Sequence, residues 1–245
     1  MGRLELRAGA VARPDALRAG ALGRRQDFTR EVAMSEESIR GKSGIVHFDS
    51  QRCIHSRNCV LDRPDVFVPN VQGDWIYPDR ASPGELAALA RNCPSGAIRY
   101  EPLDGSPGEA SPLVNTVRVR ENGPLAFNAP VVLAGVREGY RVTLCRCGVS
   151  GRKPFCDGSH AAAGFTASGE ATAEESQPLA QRNGVLSIDP IKDGPLHVLG
   201  SIEVVTGTGK TINRTNECWL CRCGQSRNKP YCDGSHKAAG FRSDT

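Results

Sequence analysis

Cysteine and histidine at fixed spacing are the residues here with the most chemistry to offer. CRCGVSGRKPFCDGSH, from Cys145 to His160, recurs as CRCGQSRNKPYCDGSH, from Cys221 to His236, at a constant offset of 76 residues. Each copy brings three cysteines and one histidine. A C-x-C pair closes on itself as a disulfide only with strain, but it suits two thiolates turned toward one metal centre. Cys156 and His160 lie four residues apart across Asp157, Gly158 and Ser159. That turn sequence can start a helix with Asp or Ser as its cap and bring the imidazole back toward the thiolates. Two metal sites follow, and a structural zinc shell of three cysteines and one histidine is the competing assignment, although zinc usually takes its cysteines as C-x2-4-C pairs.

The complete pattern, C-x-C-x2-S-x3-P-x-C-D-G-S-H, includes Ser150 and Pro154 in the first copy and Ser226 and Pro230 in the second. It resembles the signature of the CDGSH iron-sulfur domains, the NEET or mitoNEET-like family. The resemblance implies one [2Fe-2S] cluster per motif, held by Cys145, Cys147, Cys156 and His160 in one and by Cys221, Cys223, Cys232 and His236 in the other.

A third candidate site lies upstream, where Cys53, Cys59 and Cys93 occur in QRCIHSRNC and LARNCPSGAI. Cys-Pro is how the last ligand of a ferredoxin-type segment commonly looks, but Ser56 stands where a C-x2-C-x2-C run has its middle cysteine. The stretch from Ile45 to Tyr100 resembles the divergent single-cluster ferredoxin domains of bacteria, a family often fused to CDGSH domains. Three thiolates fit a [3Fe-4S] cluster, the favoured assignment; a [4Fe-4S] cluster needs a non-cysteine fourth ligand such as His55, Ser56 or water.

Elements must position these residues. Ser82-Pro83-Gly84-Glu85 is a capping box with Pro at the first helical position. Leu86, Leu89, Ala90 and Cys93 then share one helical face, which predicts a helix delivering Cys93 from its end. GIVHF (Gly44 to Phe48) and WIY (Trp75 to Tyr77) are predicted strands. Downstream, ENGPLAFNAPVVLAG echoes KDGPLHVLGSIEVVTG, and AAAGF after His160 echoes KAAGF after His236. Val117 to Val119, Val131 to Leu133, Val185 to Ile188 and Ile202 to Val205 are predicted strands broken by N-G and D-G turns. The TGTGKT segment at Thr206 to Thr211 lacks the first glycine of a phosphate loop and is predicted to be a hairpin turn.

The expected fold class is α+β: a small ferredoxin-like module followed by two β-rich CDGSH repeats forming an intramolecular pseudo-dimer, since a sixty-residue half has little core of its own. The boundaries are a flexible extension at 1–43, a ferredoxin-like domain at 44–103, and CDGSH domains at 114–168 and 182–245. DGSPGEASP and TASGEATAEESQP are linkers by composition. The first 33 residues hold seven arginines against four acids. They are too acidic and serine-poor for a transit peptide, and a tail or a later start at Met34 is expected.

The chain has 245 residues, 39% hydrophobic and 24% charged, and no apolar run of eighteen, so a soluble protein without a membrane span is expected. Ten cysteines without a signal segment point to a reducing, cytoplasmic setting. Cys218, the one unassigned cysteine, is expected to be packed. A net charge of +4 without dense basic blocks gives no support to nucleic-acid binding. Arg146, Arg152, Lys153, Arg222, Arg227 and Lys229 surround the motifs with positive charge, which suits an acidic redox partner. With no nucleotide loop or spare nucleophile, the chain is expected to be a carrier and not an enzyme. One-electron transfer leads; cluster transfer, redox or pH sensing, and a zinc scaffold are the alternatives.

Overall fold

Two turn residues shape the carboxy-terminal half. Asn122 and Asp193 adopt φ of 48° and 53°, a left-handed conformation that Asn and Asp tolerate better than most side chains, and each is followed by glycine. In this computed structural model, which describes residues 36–243, the chain reverses at these points between β4 (Thr116–Val119) and β5 (Leu125–Leu133), and between β7 (Leu186–Pro190) and β8 (Leu196–Val205). β6 (Val136–Leu144) and β9 (Thr211–Leu220) then lead into Cys145 and Cys221. The four strands predicted downstream, Val117 to Val119, Val131 to Leu133, Val185 to Ile188 and Ile202 to Val205, fall within these elements or at their edges, and TGTGKT forms the β8–β9 turn, with Thr206 accepting at its carbonyl from the Gly209 N–H at 3.0 Å.

The six strands form one sheet in which the repeats exchange partners. β4 runs parallel to β8 and β5 parallel to β7, so Val117 faces Val204 and Leu133 faces Ile188. Those two pairings are the same contact made twice with the repeats' roles reversed. Val117, Leu125, Phe127, Val131, Leu186, Ile188, Leu196 and Ile202 are buried together. Each such side chain contributes roughly 1.5–3 kcal/mol relative to exposure. Cys218 packs in this core.

The upstream module is a three-stranded antiparallel sheet, β1 (Glu36–Arg40), β2 (Gly44–Asp49) and β3 (Ile98–Pro102), in the order β1-β2-β3, with α1 (Asn58–Asp62) and α2 (Pro83–Asn92). α2 begins at the predicted capping box: Ser82 Oγ accepts from the Glu85 N–H and the Glu85 carboxylate accepts from the Ser82 N–H at 2.8 Å. Leu86, Leu89 and Ala90 are buried against Val46, Val66, Phe67 and Ile98, and Cys93 ends the helix. The described residues are thus mostly β with few helices.

Several expectations need correction. Trp75 to Tyr77 is no strand; its one pairing is an isolated bridge from Ile76 to Phe67. The extension assigned to 1–43 includes β1, which pairs with β2 along its whole length; the tail, transit-peptide and Met34 readings lie outside the described residues. The two linkers are not free tethers. Glu109 pairs with Arg141 at 2.6 Å, and Glu174 donates its N–H to the Ile212 carbonyl at 2.8 Å.

Because β4 and β7 each depend on a strand of the other repeat, a fragment of residues 114–168 alone is expected not to be a folded monomer. Circular dichroism with sedimentation tests this, and a cooperative unfolding transition from a monomeric fragment would contradict it.

Candidate metal centres

Each motif leaves its strand and folds as a tied loop. In the first, Cys145 donates its N–H to the Pro154 carbonyl at 2.8 Å and Cys156 donates to Thr143 at 3.0 Å. Ser150 Oγ donates to the Phe155 carbonyl at 2.7 Å and accepts from the Arg152 N–H at 3.1 Å. Asp157 accepts from Gly151 and Ser159 N–H groups at 2.8 and 2.9 Å, just ahead of α3 (Ser159–Ala162), which carries His160 and whose cap position is held by Gly158 and not, as expected, by an Asp or Ser side chain. The second loop repeats this with Ser226, Asp233 and α4 (Ser235–Ala238), which carries His236. Ser150 and Asp157, with their counterparts Ser226 and Asp233, are therefore ties that hold each loop.

The candidate ligands fall into two pairs per motif. Cys145 and Cys147 sulfurs are 3.6 Å apart, and Cys221 and Cys223 sulfurs 3.8 Å. Cys156 Sγ lies 3.4 Å from His160 Nδ1, as Cys232 Sγ does from His236 Nδ1. Two thiolates at ~2.3 Å from one tetrahedral metal stand roughly 3.8 Å apart, and a thiolate and an imidazole nitrogen roughly 3.5 Å. Each pair therefore has the spacing of two ligands on one metal. Among the described residues, no three His, Cys, Asp or Glu side chains converge as the shell of a single ion.

Electrostatics prepares the sulfurs. In the Cys145–Cys147 pair a shared S–H···S hydrogen bond, aided by backbone N–H groups of Ser150 and Gly148, holds Cys145 down at about 6 while Cys147 is pushed up. Cys221 is likewise held at about 6 by Cys223. Burial raises Cys156 to about 11. For His160, burial lowers the pKa first, Asp157 opposes it, and Arg146 and Arg120 reinforce it. The imidazole is thereby kept neutral and able to ligate.

Arg146 and Arg222 are not part of a charged rim around the motifs, contrary to expectation; both are 1% exposed. Arg146 donates to the carbonyls of Arg120, Gly123, Ala167 and Ser168 at 2.6 to 3.2 Å. Arg222 donates to Ile191, Gly194 and Ser243 Oγ. Phe165 and Phe241, the last residues of the echoed AAAGF and KAAGF segments, lie 5.5 and 5.4 Å from these guanidinium groups. Each arginine also feels a thiolate of the other motif: Cys221 acts on Arg146 and Cys145 on Arg222. The loops meet back to back, with Cys147 and Cys223 forming an antiparallel bridge. A Cβ on Gly148 or Gly224 would lie 2.5 Å from the carbonyl oxygen of Cys223 or Cys147, so glycine is what permits this approach.

Upstream, Cys53, Cys59 and Cys93 line one cavity of about 760 Å³ with His55, Ser56, Trp75 and Ser95. Burial raises Cys53 and Cys59, against the lowering effect of N–H groups of His55 and Val60. The His55 N–H lies 3.4 Å from Cys53 Sγ. Sequence reading missed Arg141 beside this site: 5% exposed, it donates to the carbonyls of Cys93 at 2.7 Å and Ile98 at 3.1 Å, and to that of Ala90. Nothing local in VREGYRVTL marks it as buried.

The family described as "Iron-binding zinc finger CDGSH type" matches residues 114–161 and 193–237, and "Divergent 4Fe-4S mono-cluster" matches residues 39–102. No curated protein matches the chain. The chain therefore combines two CDGSH-type iron-binding segments with an amino-terminal divergent 4Fe-4S segment, and it is an iron-sulfur protein. No helix among the described residues is long and apolar enough to cross a membrane.

Two predictions follow from this geometry. Arg146→Met strands several buried carbonyls and is expected to lower stability by about 3–5 kcal/mol, read as a shift of the urea midpoint at unchanged slope. Because neutral imidazole is the ligating form, visible absorbance is expected to persist at alkaline pH and decay as pH falls below His160's ordinary value of 6.5. His160→Cys is expected to slow that decay in stopped-flow acidification; equal rates for variant and wild type would remove histidine protonation as the cause.

Proposed function

We propose that the chain is a non-enzymatic one-electron carrier with three iron-sulfur centres. Two are [2Fe-2S] clusters, each held by three cysteines and one histidine: Cys145, Cys147, Cys156 and His160, and Cys221, Cys223, Cys232 and His236. The third is a [3Fe-4S] or [4Fe-4S] cluster on Cys53, Cys59 and Cys93. The observation that carries this reading is the split of each motif into a sulfur-sulfur pair at 3.6 or 3.8 Å and a sulfur-imidazole pair at 3.4 Å. When bound, such clusters supply reversible one-electron chemistry, and histidine ligation raises the potential. The protein's part is to hold neutral imidazole and ionised sulfur in place, to bury the sulfurs, and to set Arg146 and Arg222 nearby. Those buried cations favour the more negative, reduced state.

The two repeats act as an intramolecular pseudo-dimer around the exchanged strands, and the upstream module is ferredoxin-like. With Arg146 and Arg222 buried, Arg152, Lys153, Arg227 and Lys229 are the cations left to meet an acidic redox partner in the cytoplasm. Cluster transfer is the second reading, favoured by one observation: Cys232 and His236 lie nearer the surface than the Cys221–Cys223 pair.

Anaerobic iron, sulfide and zinc analysis tests the centres. Seven or eight irons are expected, and stoichiometric zinc without sulfide would end the iron-sulfur reading. Mixing the reduced protein with an oxidised apo-free ferredoxin, and separately with an apo-ferredoxin, divides the functions: electron transfer is expected in the first, and iron transfer in the second without electron transfer in the first would favour cluster donation.

A further inference from the structure

The two CDGSH repeats are alike in their loops but not in what touches them. Two contacts tie the upstream cavity to the first motif. Arg141 donates to the Cys93 carbonyl at 2.7 Å, and two residues further along β6 the Thr143 carbonyl accepts from the Cys156 N–H at 3.0 Å. Arg52, adjacent to Cys53, pairs with the Glu138 carboxylate and places its guanidinium 5.7 Å from the ring of Phe155, adjacent to Cys156. Both routes end at Cys156. Arg141 also pairs with Glu109, and a Cβ on Gly96 would lie 2.6 Å from the Arg141 carbonyl oxygen, so the two modules are in direct backbone contact.

The equivalent positions of the second repeat are engaged differently. Glu217 stands where Arg141 does, and it pairs with His197 at 2.7 Å. Tyr231 stands where Phe155 does, and its hydroxyl accepts from Asn213 at 3.0 Å. The second motif meets the first through the Cys147–Cys223 bridge.

Resting on the electron-transfer reading, we infer that Arg141 is a positioning residue that seats the upstream site against Cys156, so that electron exchange runs in a fixed order: upstream site, first CDGSH site, second CDGSH site. Electron tunnelling is favoured by bonded contacts, and the contacts described above lead from the upstream site to the first motif. In each step one centre loses one electron and the next gains it; the transfer involves the electron alone. An external one-electron reductant supplies the first electron, and an external one-electron acceptor removes the last.

The test uses the full chain loaded with iron and sulfide and reduced with dithionite. Cys232→Ala isolates the first CDGSH signal and Cys156→Ala the second, and electron paramagnetic resonance reads their spin relaxation beside the reduced upstream centre. The first signal is expected to require several-fold more microwave power to saturate than the second. In the Cys232→Ala chain, where the first signal stands alone, adding Arg141→Ala is expected to remove that enhancement at unchanged iron content, and Arg141→Lys to restore part of it. Equal relaxation of the two isolated signals, or an enhancement untouched by Arg141→Ala, would overturn the order. Wild type with stoichiometric zinc and no sulfide would instead overturn the electron-transfer reading beneath it.

Discussion

The exchange of strands between the repeats is the constraint on which the rest of the structure depends. Neither repeat has a complete sheet: β4 needs β8 and β7 needs β5. A unit of about sixty residues buries too little of its surface to be more than marginal, and here the missing surface comes from its own duplicate. The same pairing brings the two loops back to back at Cys147 and Cys223. It leaves no room there for a side chain on Gly148 or Gly224. It also places Arg146 and Arg222 in the interior, each within reach of a thiolate across the interface. A buried guanidinium is costly unless its donors are satisfied, and the carbonyls of the surrounding turns do that. Their order in turn relies on the N-G and D-G reversals, since Gly123 and Gly194 supply two of those carbonyls.

What was legible in the sequence was local. The spacing of cysteine and histidine, the capping box at Ser82 to Glu85 and the turns at Asn122 and Asp193 each depend on a few neighbouring residues, and the capping box and the turns fall where the residues predict. β6 and β9 were not legible. Arg137, Glu138 and Arg141 interrupt any apolar alternation in VREGYRVTL, and Asn213, Arg214 and Asn216 do so in TINRTNECWL. Their polar groups are satisfied by partners far along the chain, Arg141 by carbonyls some fifty residues upstream. The burial of Arg146 and Arg222 was hidden for the same reason: arginine beside a cluster motif reads as solvated charge until the carbonyls facing it are known. The echo of AAAGF and KAAGF was visible, but its use became clear only when Phe165 and Phe241 were found over those guanidinium groups.

The departures from repeat symmetry are as informative as the symmetry. The core and loops obey the duplication because both halves solve one problem, the holding of two donor pairs on a shared sheet. At 141 and 217 they part, arginine in one and glutamate in the other. The arginine reaches into the end of α2, where helix carbonyls lack intrahelical partners and a cation is favoured by the helix dipole. A glutamate at that position would face the same carbonyls with the wrong charge. The upstream module can therefore seat on the first repeat and not, in the same way, on the second. The differences at 141 and 217, and at 155 and 231, thus make two otherwise similar loops unequal in what they touch, and the second repeat keeps its β8–β9 face, with Leu199 and Trp219 exposed, outside the seam that Arg141 closes.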